Sequence, residues 1–190
     1  MFNVKKVKAL HKKSRHDPMK LALLSEKLLS GLTEEVSSHA AVECGRGCAH
    51  CCYLRVDAYD FESDSIVHYI ETRLSNPMRI LVKTAIEEQY EIIREMTAEQ
   101  HYRTNVKCPL LVNNVCSVYT VRPVSCAAYH SLSESACQRS YDDPNDDSFP
   151  IPQKPNIEYM KIAMHNFIQE GLGEEPPTEM VSQLYLKLHV

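Results

Sequence analysis

The sequence predicts a mainly α-helical protein folded around an irregular, cysteine-rich metal-binding centre with one short β-hairpin. Three observations carry that expectation. Apolar residues recur at helical period in segments that open on capping residues. The eight cysteines fall into two groups, 44–52 and 108–137, with helical segments between and around them. Two short apolar runs bracket Asn113 and Asn114, residues that tolerate the positive φ of a tight hairpin turn.

The elements follow in chain order. Residues 1–16 read as a basic N-terminal arm, because residues 1–20 hold Lys5, Lys6, Lys8, Lys12, Lys13, Arg15 and Lys20 against Asp17 alone, in a chain of net charge −4. Such an arm would meet nucleic acid or an anionic lipid surface through residues 1–20, or fold back on its own acidic body, and the charge asymmetry favours the second. Beyond Phe2, Val4, Val7 and Leu10 it offers few apolar anchors. Residues 17–190 are expected as a single helical domain with its cysteine-cluster core at 44–137.

Asp17 as N-cap and Pro18 at the first helical position start a helix that presents Leu21, Leu24 and Leu28 on one face, with Gly31 expected to close it. "DFESDSIVHYIETRLS" repeats the pattern through Ile66, Ile70 and Leu74, with acids in its first turn where the helix dipole favours them. Asn76 and Pro77 restart helix, with an apolar stripe of Met78, Leu81, Val82, Ala85, Ile86, Ile93 and Met96. The hairpin "CPLLVNNVCSVY" puts Cys108 and Cys116 at the open ends of its strands, Cys126 sits in a short helical turn, and Cys137 follows in "SESACQRS". A polar, proline-interrupted connection over 138–155 leads to "NIEYMKIAMHNFIQEGLG" and "PTEMVSQLYLKL", two further amphipathic helices.

Composition limits the function classes. Hydrophobic content of 44%, charged content of 24% and only five glycines suit a globular chain and exclude a repeat or glycine-rich fold. No apolar run is long enough to span a bilayer, and the N-terminal stretch lacks the apolar core of a secretory signal, so a cytoplasmic location is expected. Reducing compartments keep thiols free, which makes metal ligation the expectation over disulfides. No nucleophile–base pair, phosphate-binding glycine loop or dinucleotide fingerprint is present.

The candidate ligands are Cys44, Cys48, Cys51, Cys52, Cys108, Cys116, Cys126 and Cys137. Cys48-x2-Cys51 is the spacing of a metal knuckle, and Gly45 and Gly47 free the backbone where the turn is needed. Cys51 and Cys52 are adjacent, so one mononuclear ion would not hold both comfortably. Two four-thiolate zinc sites, or one iron–sulfur cluster with spare cysteines, both fit the count. The ferredoxin spacings are absent and zinc is preferred to iron. Arg122 would offset thiolate charge or pair with a surface carboxylate, and Tyr119 reads as core packing. His50 and His130 are substitute ligands or ordinary hydrogen-bonding residues. Asp142, Asp143, Asp146 and Asp147 read as a solvated loop, with weak divalent-cation binding as the alternative. The helices from about Phe61 to Met96 should form an antiparallel hairpin that returns the chain, so that Cys52 and Cys108, 56 positions apart, meet at a shared centre.

"CGRGCAHCC", followed by Cys108, Pro109, Leu110, Cys116, Tyr119, Arg122, Pro123 and Cys126 in that order, resembles the CxxCxxCC cysteine-cluster family of zinc- or iron-chelating domain proteins, which includes flagellin N-methylase-like members. The resemblance spans Cys44 to about Cys137 and departs at the front, where three residues separate Cys44 from Cys48. It implies a zinc- or iron-chelating protein, and methyl transfer enters only through it. The spacing Cys44-x3-Cys48-x2-Cys51 is also that of radical S-adenosylmethionine enzymes, but a helical chain with a single hairpin does not resemble their strand–helix barrels. Three functions follow as expectations: a metal-binding protein with structural zinc and an unknown protein partner or substrate, an iron–sulfur redox or metal-delivery protein, and an iron–sulfur-dependent N-methylase-like enzyme.

Overall fold

A computed structural model describes residues 4–14 and 17–189 and has the mainly helical architecture expected. Helices α1 (Val4–Ser14) and α2 (Pro18–Ser38) lead into the first cysteine group, which ends in a 3₁₀ turn at His50–Tyr53 and strand β1 (Asp57–Ala58). Helices α3 (Asp60–Arg73), α4 (Asn76–Ile93) and the short α5 (Ala98–Tyr102) follow. Strands β2 (Leu111–Val112) and β3 (Val115–Cys116), a 3₁₀ turn at Tyr119–Val121, α6 (Val124–Ala128) and α7 (Glu134–Asp142) carry the second group. Helix α8 (Pro155–Asn166), a π-helical turn at Phe167–Leu172, strand β4 (Thr178–Glu179) and α9 (Met180–His189) complete the described chain.

Local chemistry starts α2 as expected: the Asp17 side chain accepts the Lys20 N–H at 3.2 Å, and proline occupies the first turn. The helix does not stop at Gly31 but runs to Ser38. Leu28, Leu32 and Val36 continue its buried stripe, and their burial outweighs the roughly 1 kcal/mol that a glycine costs inside a helix. The basic arm is likewise more than an arm. It contains α1, which buries Val7 and His11 and packs on α2, with His11 Nε2 2.6 Å from a Glu174 carboxylate oxygen. It is the Val7 and His11 side that packs on the body, while Lys5, Lys8, Lys12 and Lys13 are exposed; Phe2 and Arg15 lie outside the described residues.

At the start of α3 the carboxylate of Glu62 closes a capping box on the Tyr59 N–H at 2.9 Å. Its second oxygen accepts the Val124 N–H at 2.9 Å, so one buried side chain ties the first turns of α3 and α6 together. Burial pushes its carboxyl up to about 7, against the pull of those two N–H groups. Helices α2 and α3 pack with Ser25 and Ser65 hydroxyls 2.9 Å apart, and these small residues allow close approach.

Helices α3 and α4 do reverse the chain, but they do not form a self-packed hairpin. Helix α9 packs on both, with Met180, Val181 and Leu184 buried against Ile66, Ile70, Val82 and Ile86, while α3 packs most extensively on α2. Leu81, assigned to the apolar stripe of α4, is 50% exposed because that side of the helix has no cover. The start of α9 is pinned beside the first cysteine group by antiparallel pairing of β1 with β4 (Asp57 opposite Glu179) and by the Met180 N–H on the Val56 carbonyl at 2.9 Å. Two-residue strands carry too little alternation to be visible in a sequence.

The β2–β3 hairpin matches expectation, with Asn113 and Asn114 at φ 50° and 58° and Val112 opposite Val115. Buried residues form two apolar clusters. One joins α1, α2, α6 and α8 around Leu24, Leu28, Ala127 and Ile157, and the other joins α3, α4, α9 and the hairpin around Ile66, Ile86, Leu110 and Leu184. Cys108 and Cys116 pack on the second cluster, whereas Val124, Ala127 and Ala128, which flank Cys126, belong to the first. The cysteines therefore lie along the seam between the clusters.

Candidate metal centre

The seam is assembled from the backbone outward. The Cys48 N–H closes a tight turn on the Gly45 carbonyl at 3.1 Å, with Gly47 at φ 96°, a left-handed position that only glycine adopts without strain. His50–Tyr53 then winds into 3₁₀ helix, where successive side chains point about 120° apart. The Cys51 and Cys52 thiols nevertheless stay close enough to interact, and the backbone of Cys52 reaches the second group: its carbonyl accepts the Cys108 N–H at 2.7 Å, and the Tyr53 carbonyl accepts the Val106 N–H at 3.2 Å. The two cysteine groups meet in space as their convergence required. All eight cysteines are free thiols.

Electrostatics divides them into two overlapping sets. Every pair among Cys51, Cys108, Cys116 and Cys126 lies within electrostatic reach, and so does every pair among Cys44, Cys48, Cys137 and Cys51. Cys51 belongs to both. Burial pushes the Cys108 thiol up to about 12 and Cys126 well above its ordinary value, and burial also raises Cys116. Cys51 is raised first by the neighbouring Cys52 thiol and then by burial. In the outer set burial lifts Cys44 to about 11 and raises Cys48 and Cys137. Backbone N–H groups two residues downstream, of His50, Leu110 and Val118, oppose the rise at Cys48, Cys108 and Cys116, the pattern of a metal knuckle.

Arg122 supplies the local positive charge. Its guanidinium lies 3.9 Å over the Tyr119 ring and lowers the proton affinity of Cys51, Cys116 and Cys126, so it faces the inner thiols and not a surface carboxylate. Its Nε is buried without a hydrogen-bond partner. Tyr119 is half exposed and serves as a shelf for Arg122; it is not a core residue.

The histidines separate clearly. His130 is fully buried with both ring nitrogens engaged, Nδ1 on the Ala128 carbonyl at 2.8 Å and Nε2 accepting the Lys154 N–H at 2.7 Å. These bonds fix one neutral tautomer and leave no lone pair for a metal. His50 lies at the mouth of the seam, and its ligand atom, that of Cys48 and that of Glu134 all fall within 4.8 Å of one another. Among the described residues this is the set of three that meets that limit; no three of the inner thiols do. The acidic run is accounted for without a cation: Asp143 and Asp146 accept N–H groups of their own loop, Asp142 accepts from Gln138, and Asp147 meets Arg103 at 3.1 Å.

Four partly buried thiols, three of them facing Arg122 with its orphaned Nε, fit a thiolate-bound transition ion, whose positive charge would hold the sulfurs deprotonated against the burial that raises them. Zinc–thiolate bonds of about 2.3 Å would draw the inner sulfurs closer than they now stand.

Two site residues were not anticipated from sequence. Ser131 directs its backbone N–H to Cys44 Sγ at 3.2 Å while its hydroxyl donates to the Ser133 carbonyl at 2.8 Å, and the bond to Cys44 is a long-range role with no local signal. Glu134 stands one helical turn before Cys137, and that i, i+3 spacing was readable once α7 was recognised. Comparison with protein-family models, curated proteins and solved structures finds no match.

Proposed function

We propose that the chain is a metal-binding cysteine-cluster protein in which Cys51, Cys108, Cys116 and Cys126 hold one transition ion, zinc in preference to iron. The observation that carries this reading is the gathering of these four thiols, from three separate stretches of chain, between two apolar clusters, with Arg122 facing Cys51, Cys116 and Cys126. A four-thiolate site closed on all sides is a structural zinc arrangement, and the binding free energy would appear as folding stability. Here the ion would tie the cluster around α2 to the cluster around α9. The resemblance of the cysteine pattern to chelating-domain proteins supports the same chemistry, and free thiols suit a reducing compartment. No helix among the described residues is long and apolar enough to cross a membrane.

The test is anaerobic purification followed by elemental analysis and an absorption spectrum. The expected result is about one tightly held zinc and no visible colour. Brown protein with acid-labile sulfide would replace zinc by an iron–sulfur cluster on the same thiolates. Less than about half an equivalent of zinc plus iron would sink the reading.

A further inference from the structure

The mouth of the seam holds a second group of metal-ligating side chains that the inner thiols do not use. We propose that Cys48, His50 and Glu134 form a separate, solvent-open site for a divalent transition ion, with three protein ligands and one free coordination position.

The geometry is the first argument. The sulfur, the imidazole nitrogen and the carboxylate oxygen already lie within 4.8 Å of one another. Ligands of a tetrahedral ion at bond lengths of about 2.0–2.3 Å stand roughly 3.3–3.8 Å apart, so small rotations close the site. The frame around them is built. The 3₁₀ turn that opens at His50, two residues after Cys48, packs on α7, where Tyr141 meets both His50 and Tyr53, the latter with ring centroids 4.9 Å apart. Glu134 opens α7, with its N–H held by Glu43 at 2.6 Å and the helix capped by the Ser133 hydroxyl.

Charge is the second argument. Glu134 stands beside Cys48, and no Lys or Arg pairs with it among the described residues. A carboxylate set beside a thiol without a cation is relieved by binding one. The neighbouring Cys44 accepts the Ser131 N–H and Cys137 is buried, which leaves Cys48 to the mouth. One sulfur, one imidazole and one carboxylate suit zinc or a similar borderline ion, whereas calcium and magnesium take all-oxygen sites and copper(I) prefers sulfur alone. Three protein ligands with an open fourth position are the arrangement of an exchanging or reactive ion and differ from the closed inner set. None of the three ligands belongs to the inner four.

The test titrates reduced, full-length protein with cobalt(II) under anaerobic conditions, after the tight metal has been measured. Wild type, His50→Ala with Glu134→Ala, and Cys108→Ser are compared by visible absorption, bound equivalents and melting temperature. Wild type should take one cobalt beyond its tight metal, with a sulfur-to-cobalt charge-transfer band. The double variant should keep the tight metal and the melting temperature while its cobalt affinity falls at least about 100-fold. Cys108→Ser should lose the tight metal and still bind cobalt at the mouth. Unchanged cobalt binding in the double variant overturns the proposal, and so does loss of the tight metal from it, since the outer residues would then serve the inner centre. Wild type without tight metal, whose cobalt site is abolished by the double variant, upholds this site and sinks the inner-thiolate reading instead.

Discussion

The inner and outer halves of the cysteine centre are made of the same residue type and answer to different surroundings. Cys108, Cys116 and Cys126 are backed by the two apolar clusters, and Arg122 faces the last two, whereas Cys44 is exposed and Cys48 shares its neighbourhood with His50 and Glu134. Burial makes an inner thiol hard to ionise without a cation, so metal and fold are linked there. At the mouth Cys44 is exposed and Cys48 has polar partners, so metal and fold are separable there. A cysteine count does not carry this distinction; the surroundings of each sulfur do.

The widest separation should come from single serine substitutions. Cys108→Ser or Cys51→Ser is expected to lose most of the tight metal and several kcal/mol of stability, because a structural ion contributes its binding energy to folding. Cys44→Ser should leave tight metal and melting temperature close to wild type. Equal effects from Cys44→Ser and Cys108→Ser, read by elemental analysis and thermal unfolding, would dissolve the division into two halves.

Glu62 sharpens the comparison from the side of the fold. Its two oxygens hold the first turns of α3 and α6, and α6 carries Cys126. Glu62→Gln keeps one acceptor and turns an amide donor on the other N–H, which should cost about 1–3 kcal/mol. The pH dependence has a definite sign. Burial raises the folded-state carboxyl to about 7, above its ordinary 4.5, so its contribution is fully present at low pH and is lost as pH rises through that window. The advantage of wild type over Glu62→Gln should therefore be larger at pH 5 than at pH 7.5, by up to about 3 kcal/mol. An advantage that grows with pH would show that the two N–H groups, and not burial, dominate.

How much of this was legible depends on the range of the signal. The N-cap at Asp17, the Asn113–Asn114 turn and the stripe through Ile66 and Ile70 are local patterns, and each appears in place. Gly31 misled because a buried stripe of tertiary origin overrode a local breaker. The packing of α9 on α3 and α4, the pairing of β1 with β4 and the hold of Glu62 on the Val124 N–H are contacts across more than 60 positions, and nothing near those residues announces them. In the site, cysteine spacing marked the ligands, but the choice of His50 over His130 rests on the Ala128 carbonyl and the Lys154 N–H. Those partners exist only after folding.

Removing residues 1–14 tests whether the fold around α2 stands apart from the metal. Val7 and His11 are buried, and the His11–Glu174 contact at 2.6 Å closes one side of the cluster. The truncated chain should unfold about 1–2 kcal/mol more easily, a few degrees in melting temperature for a chain of this size, with tight metal unchanged. Loss of metal on truncation would mean that the first cluster, and not the seam, sets the geometry of Cys126.

The smallest effect belongs to Gly47→Ala, and it separates the halves most finely. Gly47 has φ 96°, and an added Cβ would meet no atom within 4 Å, so the penalty is conformational and not steric crowding. A left-handed backbone costs an L-residue about 1–2 kcal/mol, paid only where the turn keeps its shape. The turn sits at the exposed edge, closed by the Cys48 N–H on the Gly45 carbonyl, and it can relax without disturbing either apolar cluster. Melting temperature should therefore move by a degree or two, while Cys48 shifts away from His50 and Glu134. The reaction of Cys48 with a thiol reagent should quicken, and cobalt binding at the mouth should weaken by about tenfold, the equivalent of roughly 1.4 kcal/mol. Tight metal should stay constant. If Gly47→Ala released the tight metal, the knuckle turn would be a support of the inner thiols, and the inner and outer halves would have to be treated as one cooperative centre.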